Sequence, residues 1–282
     1  MNCLICGSSN VKNNKNIIRN YQRNEYKLNL NKCNNCDFIF LNNPPVLEYD
    51  YEYLQAEGVI TLESRFAKFH AIERIKNISS LIKEGKFLDF GIGDGLILRI
   101  AEDYGFDTYG VDINPVGVEL ARKTYGIKAK ISLDKIESAF PADLFDIIHL
   151  NEVIEHLNFP MEILKSCYKR LNKNGIIVIQ TGNIDSMVSK IKGDSWDYIR
   201  PVHVNYFSQQ TLQKSLRIAG FDVIKKSTID WSFIDTIKYI AMLFSKEGLT
   251  VAINFSLLYL TAIIPQVRRS TLQIGKKSLQ TD

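Results

Sequence analysis

Short apolar runs alternate along this chain with stretches whose apolar residues recur at helical spacing. Phe87-Leu88-Asp89-Phe90 has the length and flanks of a buried strand. Gly91, Gly93 and Gly95 follow at alternate positions, and Leu96-Ile97-Leu98-Arg99-Ile100-Ala101 starts a helix. Thr108 to Val111 reads as the next strand and ends on Asp112. Asn114 then caps a helix with Pro115 in its first turn, running to about Tyr125. Ile127 to Ile131 and Phe145 to Leu150 are strands, and Pro160 to Leu171 is a helix. Lys173-Asn174-Gly175 turns into a strand from Ile176 to Gln180. Ser208 caps a helix that stops near Gly220, and Phe221 to Ile229 is a late strand. Strands alternating with helices over residues 85–230 predict an α/β, Rossmann-like parallel sheet with helices on both faces. Ligands of such a sheet bind beyond the carboxyl ends of its strands.

The pattern changes on either side of that core. Residues 46–84 read as a helical linker: a tyrosine-rich start (Tyr49, Tyr51, Tyr53), then a helix from Leu62 to Lys83 with Phe66, Phe69, Ile72, Ile75 and Ile78 on its core side. The tyrosines suit either a packed linker or the mouth of a ligand site. Residues 231–282 read as a helical extension with two apolar helices, Phe233 to Phe244 and Leu249 to Ile264. The second contains Asn254 and falls short of the roughly 20 apolar residues that span a bilayer. A homodimer face, a lid and peripheral membrane contact stay open for it. Arg268, Arg269, Lys276 and Lys277 would favour anionic headgroups in the last case and form a solvated tail otherwise.

The first 45 residues carry two C-x2-C knuckles, Cys3 with Cys6 and Cys33 with Cys36. Two such knuckles can place four thiolates around one zinc, and Gly7 supplies the tight turn after the first. Rough alternation from Tyr21 to Leu30 is consistent with a hairpin between them. The expectation is a zinc ribbon whose closed four-thiolate site is structural, and whose small core draws its stability from the metal. The N-terminus, MNCLICGSSN, has no basic-then-apolar signal segment, so a cytoplasmic location with reduced thiols is expected. With 282 residues and 45% hydrophobic content there is room for one large domain and a small module. A net charge of +4 does not argue for a nucleic-acid partner.

The chemistry concentrates in Lys86 to Asn114, KFLDFGIGDGLILRIAEDYGFDTYGVDIN. Glycines at a strand-to-helix turn allow positive φ and let a ligand approach bare backbone. An acid at the tip of the next strand, Asp112, can accept from a ribose diol. Leu96 stands where a dinucleotide fingerprint would place its third glycine, and Asp94 would repel a pyrophosphate. A nucleoside ligand without phosphates meets no such objection. The stretch resembles motif I and the following acid of class I S-adenosylmethionine-dependent methyltransferases. The later run FDIIHLNEVIEHLNFPMEILKSCYKRLNKNGIIVIQTGN is similar to the fourth and fifth motifs of small-molecule methyltransferases of the ubiquinone-biosynthesis type and their sugar-modifying relatives. The resemblance covers roughly residues 85 to 225, and the N-terminal ribbon is similar to zinc-binding extensions on methyltransferases acting on deoxysugars.

That resemblance implies S-adenosyl-L-methionine held by Asp89, Gly91, Gly93, Gly95, Asp112, Ile113, Ser132, Leu133, Asn151 and Glu152. It places Glu155, Asn183, Trp196 and Tyr206 toward the acceptor. A hydroxyl acceptor needs a base. His203, in a loop carrying Trp196 and Tyr206, is the first choice and His156 the second, although His156 could instead tie the strand-four loop together. The acceptor implied is a small molecule, foremost a nucleotide-linked or cell-surface sugar methylated on oxygen, with carbon methylation of a deoxysugar close behind. An RNA or protein methyltransferase gripping its substrate with the ribbon is the rival class. The modest charge counts against it, and so does the position of Asn42-Asn43-Pro44-Pro45 outside the catalytic core. A scaffold with a degenerate cofactor site is disfavoured by the intact Gly91, Gly93, Gly95 and Asp112.

Overall fold

In the computed structural model, which describes residues 2–45, 65–132, 136–229 and 270–277, the run around Phe87 becomes β4 (Gly85–Phe90) at the middle of a seven-stranded sheet. Its neighbours are β5 (Phe106–Asp112) and β7 (Phe145–Asn151), both parallel to it, with Phe87 opposite Thr108 on one side and Ile147 on the other. A strand covered on both faces has no polar side to show, so Phe87, Leu88, Asp89 and Phe90 are all buried. Beyond β5 lies β6 (Lys128–Ile131), and beyond β7 lies β8 (Leu171–Gly182). Chain order reverses at β4, so β4, β5 and β7 deliver their carboxyl ends to a topological switch point.

Some of the helices start where a side chain satisfies their first amides. Asn114 accepts from the amides of Val116 and Gly117 at the head of α3 (Pro115–Tyr125), which ends at Gly126 in the left-handed region. A capping box of Ser208 and Thr211 opens α7 (Gln209–Ile218). Between these come α4 (Ile136–Ala139), α5 (Pro160–Arg170) and α6 (Met187–Lys192). The chain's first two described helices are α1 (Arg65–Ser79) and α2 (Leu96–Asp103).

The far edge of the sheet differs from the sequence expectation. Ser270–Lys277 is a strand, β11, inserted antiparallel between β8 and β10 (Phe221–Ile229). Its buried positions include Thr271, Gln273 and Gly275, an inversion of the usual polar pattern that hides the strand from periodicity. A side chain at Gly275 would press on Phe221 and Ile177 at 3.0–3.1 Å. Lys276 and Lys277, read as a tail, are thereby strand residues, and the Lys277 ammonium donates to the Leu171 carbonyl. The two apolar helices expected over 233–264, Arg268 with Arg269, and the tyrosine-rich stretch after Pro45 lie outside the described residues.

The N-terminal segment builds a second sheet from a long hairpin, β1 (Val11–Tyr21) and β2 (Asn24–Cys33), followed by β3 (Ile39–Asn42). Its fourth strand comes from far along the chain: β9 (Asn205–Tyr206) pairs antiparallel with β3. The two cores are continuous. Cys3, Ile5, Cys33, Phe38 and Phe40 share one apolar cluster with Leu88, Phe90, Leu164 and Leu216, and the Phe38 and Phe207 rings lie 5.0 Å apart. Phe38→Ala should therefore lower the stability of the whole chain by about 3–5 kcal/mol, the cost of emptying a buried phenylalanine site. Denaturant unfolding followed by both fluorescence and circular dichroism should show one shifted transition. Two resolved transitions, only the first of them shifted, would mean that the ribbon and the sheet unfold independently.

Candidate active site and cysteine cluster

The two knuckles fold toward each other. Gly7 donates its amide to the Cys3 carbonyl and Asp37 to the Cys33 carbonyl, each from a left-handed residue closing a tight turn. Cys3 and Cys36 then stand with their Sγ atoms 3.5 Å apart, Cys6 and Cys33 at 3.7 Å, and all four Sγ atoms lie within 4.8 Å of one another. A tetrahedron with metal–sulfur bonds of about 2.3 Å has sulfurs about 3.8 Å apart, so the arrangement fits a zinc ion. Burial opposes ionisation of Cys6, but hydrogen bonds from the Ser8 amide and Asn35 outweigh it and bring its thiol down to about 6. Burial raises Cys3 and Cys36.

At the carboxyl end of β4, Gly91, Gly93 and Gly95 all adopt positive φ, as a glycine turn requires. The crowding is severe at two of them. A Cβ on Gly91 would sit 2.4 Å from Val153, and one on Gly95 2.8 Å from Ala121. The Asp112 carboxylate accepts from the amides of Gly93 (3.0 Å) and Asn114 (2.9 Å), which locks the acid to the turn. Each oxygen keeps lone-pair capacity for a further donor. Burial raises the Asp112 pKa in spite of those two amides. Asp94 spends its carboxylate on the Leu96 amide at the helix start.

The other positions expected around the cofactor divide. Ile113 is 44% exposed beside Asp112, and Asn151 ends β7 with a buried carboxamide oxygen that has no partner among the described residues. Ser132 is buried with its hydroxyl 3.0 Å from that of Ser138, and Leu133 lies outside the described residues. Asp89 sits lower in the sheet, its carboxylate 2.7 Å from Nδ1 of a fully buried His149. Arg74, on α1, donates to Gln180 at 2.8 Å and feels the charges of Glu152 and Asp89, while burial lowers its pKa. Periodicity in the linker helix singles out apolar positions, so nothing in the pattern marked this cation.

The second half of the site is a turn, Glu152 to His156, packed under a distant loop. Glu152 is forced to φ 53°, with its amide tied to the Gln180 carbonyl. Such backbone strain in a non-glycine residue is characteristic of functional sites. Glu155 is fully buried and accepts from Tyr198 (2.5 Å) on one oxygen and Thr181 (2.8 Å) on the other. The Tyr198 hydroxyl also lies 3.3 Å from Glu152 and accepts from the Gly182 amide. His156 and His203 stand edge to face, ring centres 4.7 Å apart. Each gives its Nδ1 proton to a carbonyl, His156 to Val202 (2.9 Å) and His203 to Tyr198 (2.7 Å). Since a carbonyl only accepts, the lone pair of each ring is on Nε2. Ligand atoms of Glu155, His156 and His203 converge within 4.8 Å of one another.

Burial pushes Glu152 well above the usual carboxyl range, helped by the neighbouring Glu155, and raises Glu155 as well. Burial pushes His156 below its ordinary value and, with His156 next to it, His203 well below. A paired carboxylate and two neutral imidazoles form a mixed oxygen–nitrogen donor set for a divalent cation. His203, expected as the general base, is buried. Trp196 and Tyr206, expected at the acceptor, are 3% and 1% exposed. They pack among Ile17, Leu28, Leu30 and Leu41 of the ribbon, because the loop that carries them is covered by the hairpin. Asn183 is buried and holds the Asp185 amide in a local turn. Tyr198 went unmarked in the sequence, since its partners lie far away along the chain.

A family model described as a methyltransferase domain matches residues 63–226. Among curated proteins, the ubiquinone biosynthesis O-methyltransferase of Histophilus somni is 25% identical over 174 residues, 53% of this chain and 73% of that protein. The protein of the same name from Pelagibacter ubique is 32% identical over 126 residues, 42% of this chain and 52% of its own length. Among solved structures, an S-adenosylmethionine-dependent methyltransferase from Archaeoglobus fulgidus superposes with a TM-score of 0.55 at 25% identity, covering 81% of this chain and all of that one. The domain model spans more than half of the sequence and takes in the glycine turn and Asp112: the chain belongs to the class I S-adenosylmethionine-dependent methyltransferases.

Proposed function

We propose that the protein transfers a methyl group to a hydroxyl oxygen of a small molecule, with Glu155, His156 and His203 holding a divalent cation where that hydroxyl binds. The observation that carries this reading is the convergence of those three side chains within 4.8 Å at the carboxyl edge of the sheet, with Glu152 alongside. The cofactor, when bound, supplies an electrophilic methyl group. The chain's own residues bind, orient and hold protons. Asp112, fixed by two amides, offers its remaining lone pairs to ribose hydroxyls, and the glycine turn admits the nucleoside. Arg74 offers a guanidinium for the carboxylate of the cofactor's amino-acid end. A divalent cation held by the two imidazoles and Glu155 would lower the pKa of a hydroxyl brought to it, which answers the weakness of His203 as an unaided base. Tyr198 and Thr181 fix the Glu155 carboxylate, and two carbonyls fix the imidazole tautomers.

The acceptor class proposed is a nucleotide-linked or cell-surface sugar. The oxygen as target is supported by the O-methyltransferase names of the curated relatives, and the sugar rests on the resemblance of the N-terminal ribbon to zinc-binding extensions on methyltransferases acting on deoxysugars. The ribbon is proposed to hold one structural zinc. A cytoplasmic location is proposed with it; among the described residues no helix is long and apolar enough to cross a membrane.

Asp112→Ala should weaken binding of S-adenosylhomocysteine about ten- to hundredfold, the worth of a charged hydrogen-bond acceptor of about 1.5–3 kcal/mol. Calorimetry giving the wild-type affinity would remove Asp112 from the cofactor site. For the cation, His203→Ala should abolish Mn²⁺ binding in titrations followed by electron paramagnetic resonance, and leave S-adenosylhomocysteine affinity near wild type. Tyr198→Phe should weaken Mn²⁺ about 10–100-fold, as loss of a supporting hydrogen bond does. A wild-type protein that takes up no Mn²⁺ or Mg²⁺, or a His203→Ala protein that keeps it, refutes the cation. Metal analysis of protein made with zinc present should return one zinc per chain, and Cys33→Ser should lose it. A metal-free wild type would refute the zinc ribbon.

A further inference from the structure

The loop from Trp196 to Tyr206 supplies Tyr198 and His203, yet it contains little regular structure of its own beyond β9. Short turns within it tie the Ile199 amide to the Trp196 carbonyl and the His203 amide to the Arg200 carbonyl, and the ribbon holds it from outside at two places. Arg19, on β1, donates from Nε to the Ile199 carbonyl (2.8 Å) and from Nη2 to the Trp196 carbonyl (3.3 Å). These two carbonyls bracket Tyr198, whose ring covers Gly182 so closely that a Cβ there would fall 2.3 Å from it. At the second place β3, which begins just past Cys36, pairs Ile39 with Tyr206 and Phe40 with Asn205, and the Leu41 amide bonds the Val204 carbonyl. The loop passes this grip on to the catalytic edge. The Val204 amide donates to the Glu155 carbonyl (2.8 Å). The Asn205 carboxamide donates to the carbonyls of Ile154 (3.1 Å) and Leu157 (2.6 Å), either side of Glu155 and His156.

We propose that Arg19 is a positioning residue of the methyltransferase site: by holding the Trp196 and Ile199 carbonyls, the ribbon hairpin sets Tyr198 and His203 against Glu155. The consequence for ligands rests on the cation reading given above; the mechanical link does not. The planar guanidinium is suited to the task because two of its nitrogens meet two carbonyls at once in a fixed fork, whereas an ammonium is a single point donor. The ribbon thereby has a role beyond its own stability. It is the template on which a loop from the far side of the chain takes up its working shape.

The test uses the full chain with its zinc. Arg19→Met keeps the aliphatic stem and removes the donors, and Arg19→Lys restores one. In Arg19→Met, hydrogen exchange in peptides covering 196–206 should speed up about ten- to hundredfold, while exchange in β1 and β2 and the zinc content stay at wild-type values. Mn²⁺ affinity should fall about 10–100-fold with S-adenosylhomocysteine affinity unchanged, and Arg19→Lys should recover part of both losses. Unchanged exchange over 196–206 in Arg19→Met overturns the proposal. So does acceleration spread equally through the hairpin, which would make Arg19 an ordinary stabilising residue of the ribbon. If the wild type binds no Mn²⁺, the cation reading falls, and the exchange measurement still decides for or against the brace.

Discussion

A carboxylate with no exposed surface must find its hydrogen bonds inside the protein, and that demand on Glu155 organises much of what surrounds it. One oxygen takes the Tyr198 hydroxyl and the other the Thr181 hydroxyl. The Tyr198 ring that brings this hydroxyl to Glu155 lies against Gly182 of β8, where a Cβ would fall 2.3 Å from it. The loop carrying Tyr198 must then be anchored, which the Arg19 fork and the β3–β9 pairing accomplish. Removing a single partner would leave a buried charge short of a donor, a change that costs far more than the net worth of the bond. The ribbon, the loop and the turn after β7 are thus linked through one carboxylate.

The half of the site that was legible in the sequence is the half built from neighbours in sequence. Strand, glycine turn, helix, strand and acid fall within Lys86 to Asn114, and each element's signal is local: an apolar run, positive-φ glycines, an Asn–Pro cap. The cysteine knuckles were legible for the same reason, because spacing alone brings each pair together. In the second half the sequence marked Glu155, His156 and His203 but not the residues that hold them in place. Tyr198 meets Glu155 across 43 positions of chain and Arg19 meets Ile199 across 180, and no periodicity records such pairings. Trp196 and Tyr206 look like loop aromatics in sequence and are core in space, because the hairpin that covers them lies at the other end of the chain. The strand Ser270–Lys277 escaped because its inward residues include Thr271, Gln273 and Gly275.

The charge distribution of the crevice bears on what it can hold. Asp89, Asp112, Glu152 and Glu155 gather at or beneath the carboxyl ends of β4, β5 and β7, and the electrostatic influence of Asp89 reaches Asp112 on one side and Arg74 on the other. Among the described residues, Arg74 is the cation whose pKa registers Glu152 and Asp89 together. Burial raises the pKa of both Glu152 and Glu155, and at Glu152 the neighbouring acid adds to the rise. Such a site is poorly suited to a phosphate-bearing dinucleotide and well suited to cationic ligands. A sulfonium compensates carboxylates by charge alone, and a divalent cation held by Glu155 would do so by direct ligation. The same excess of acid that Asp94 announces at the glycine turn thus runs through to the Glu155 cluster. Both ligands assigned to this crevice, the cofactor and the proposed cation, carry the sign that the crevice lacks.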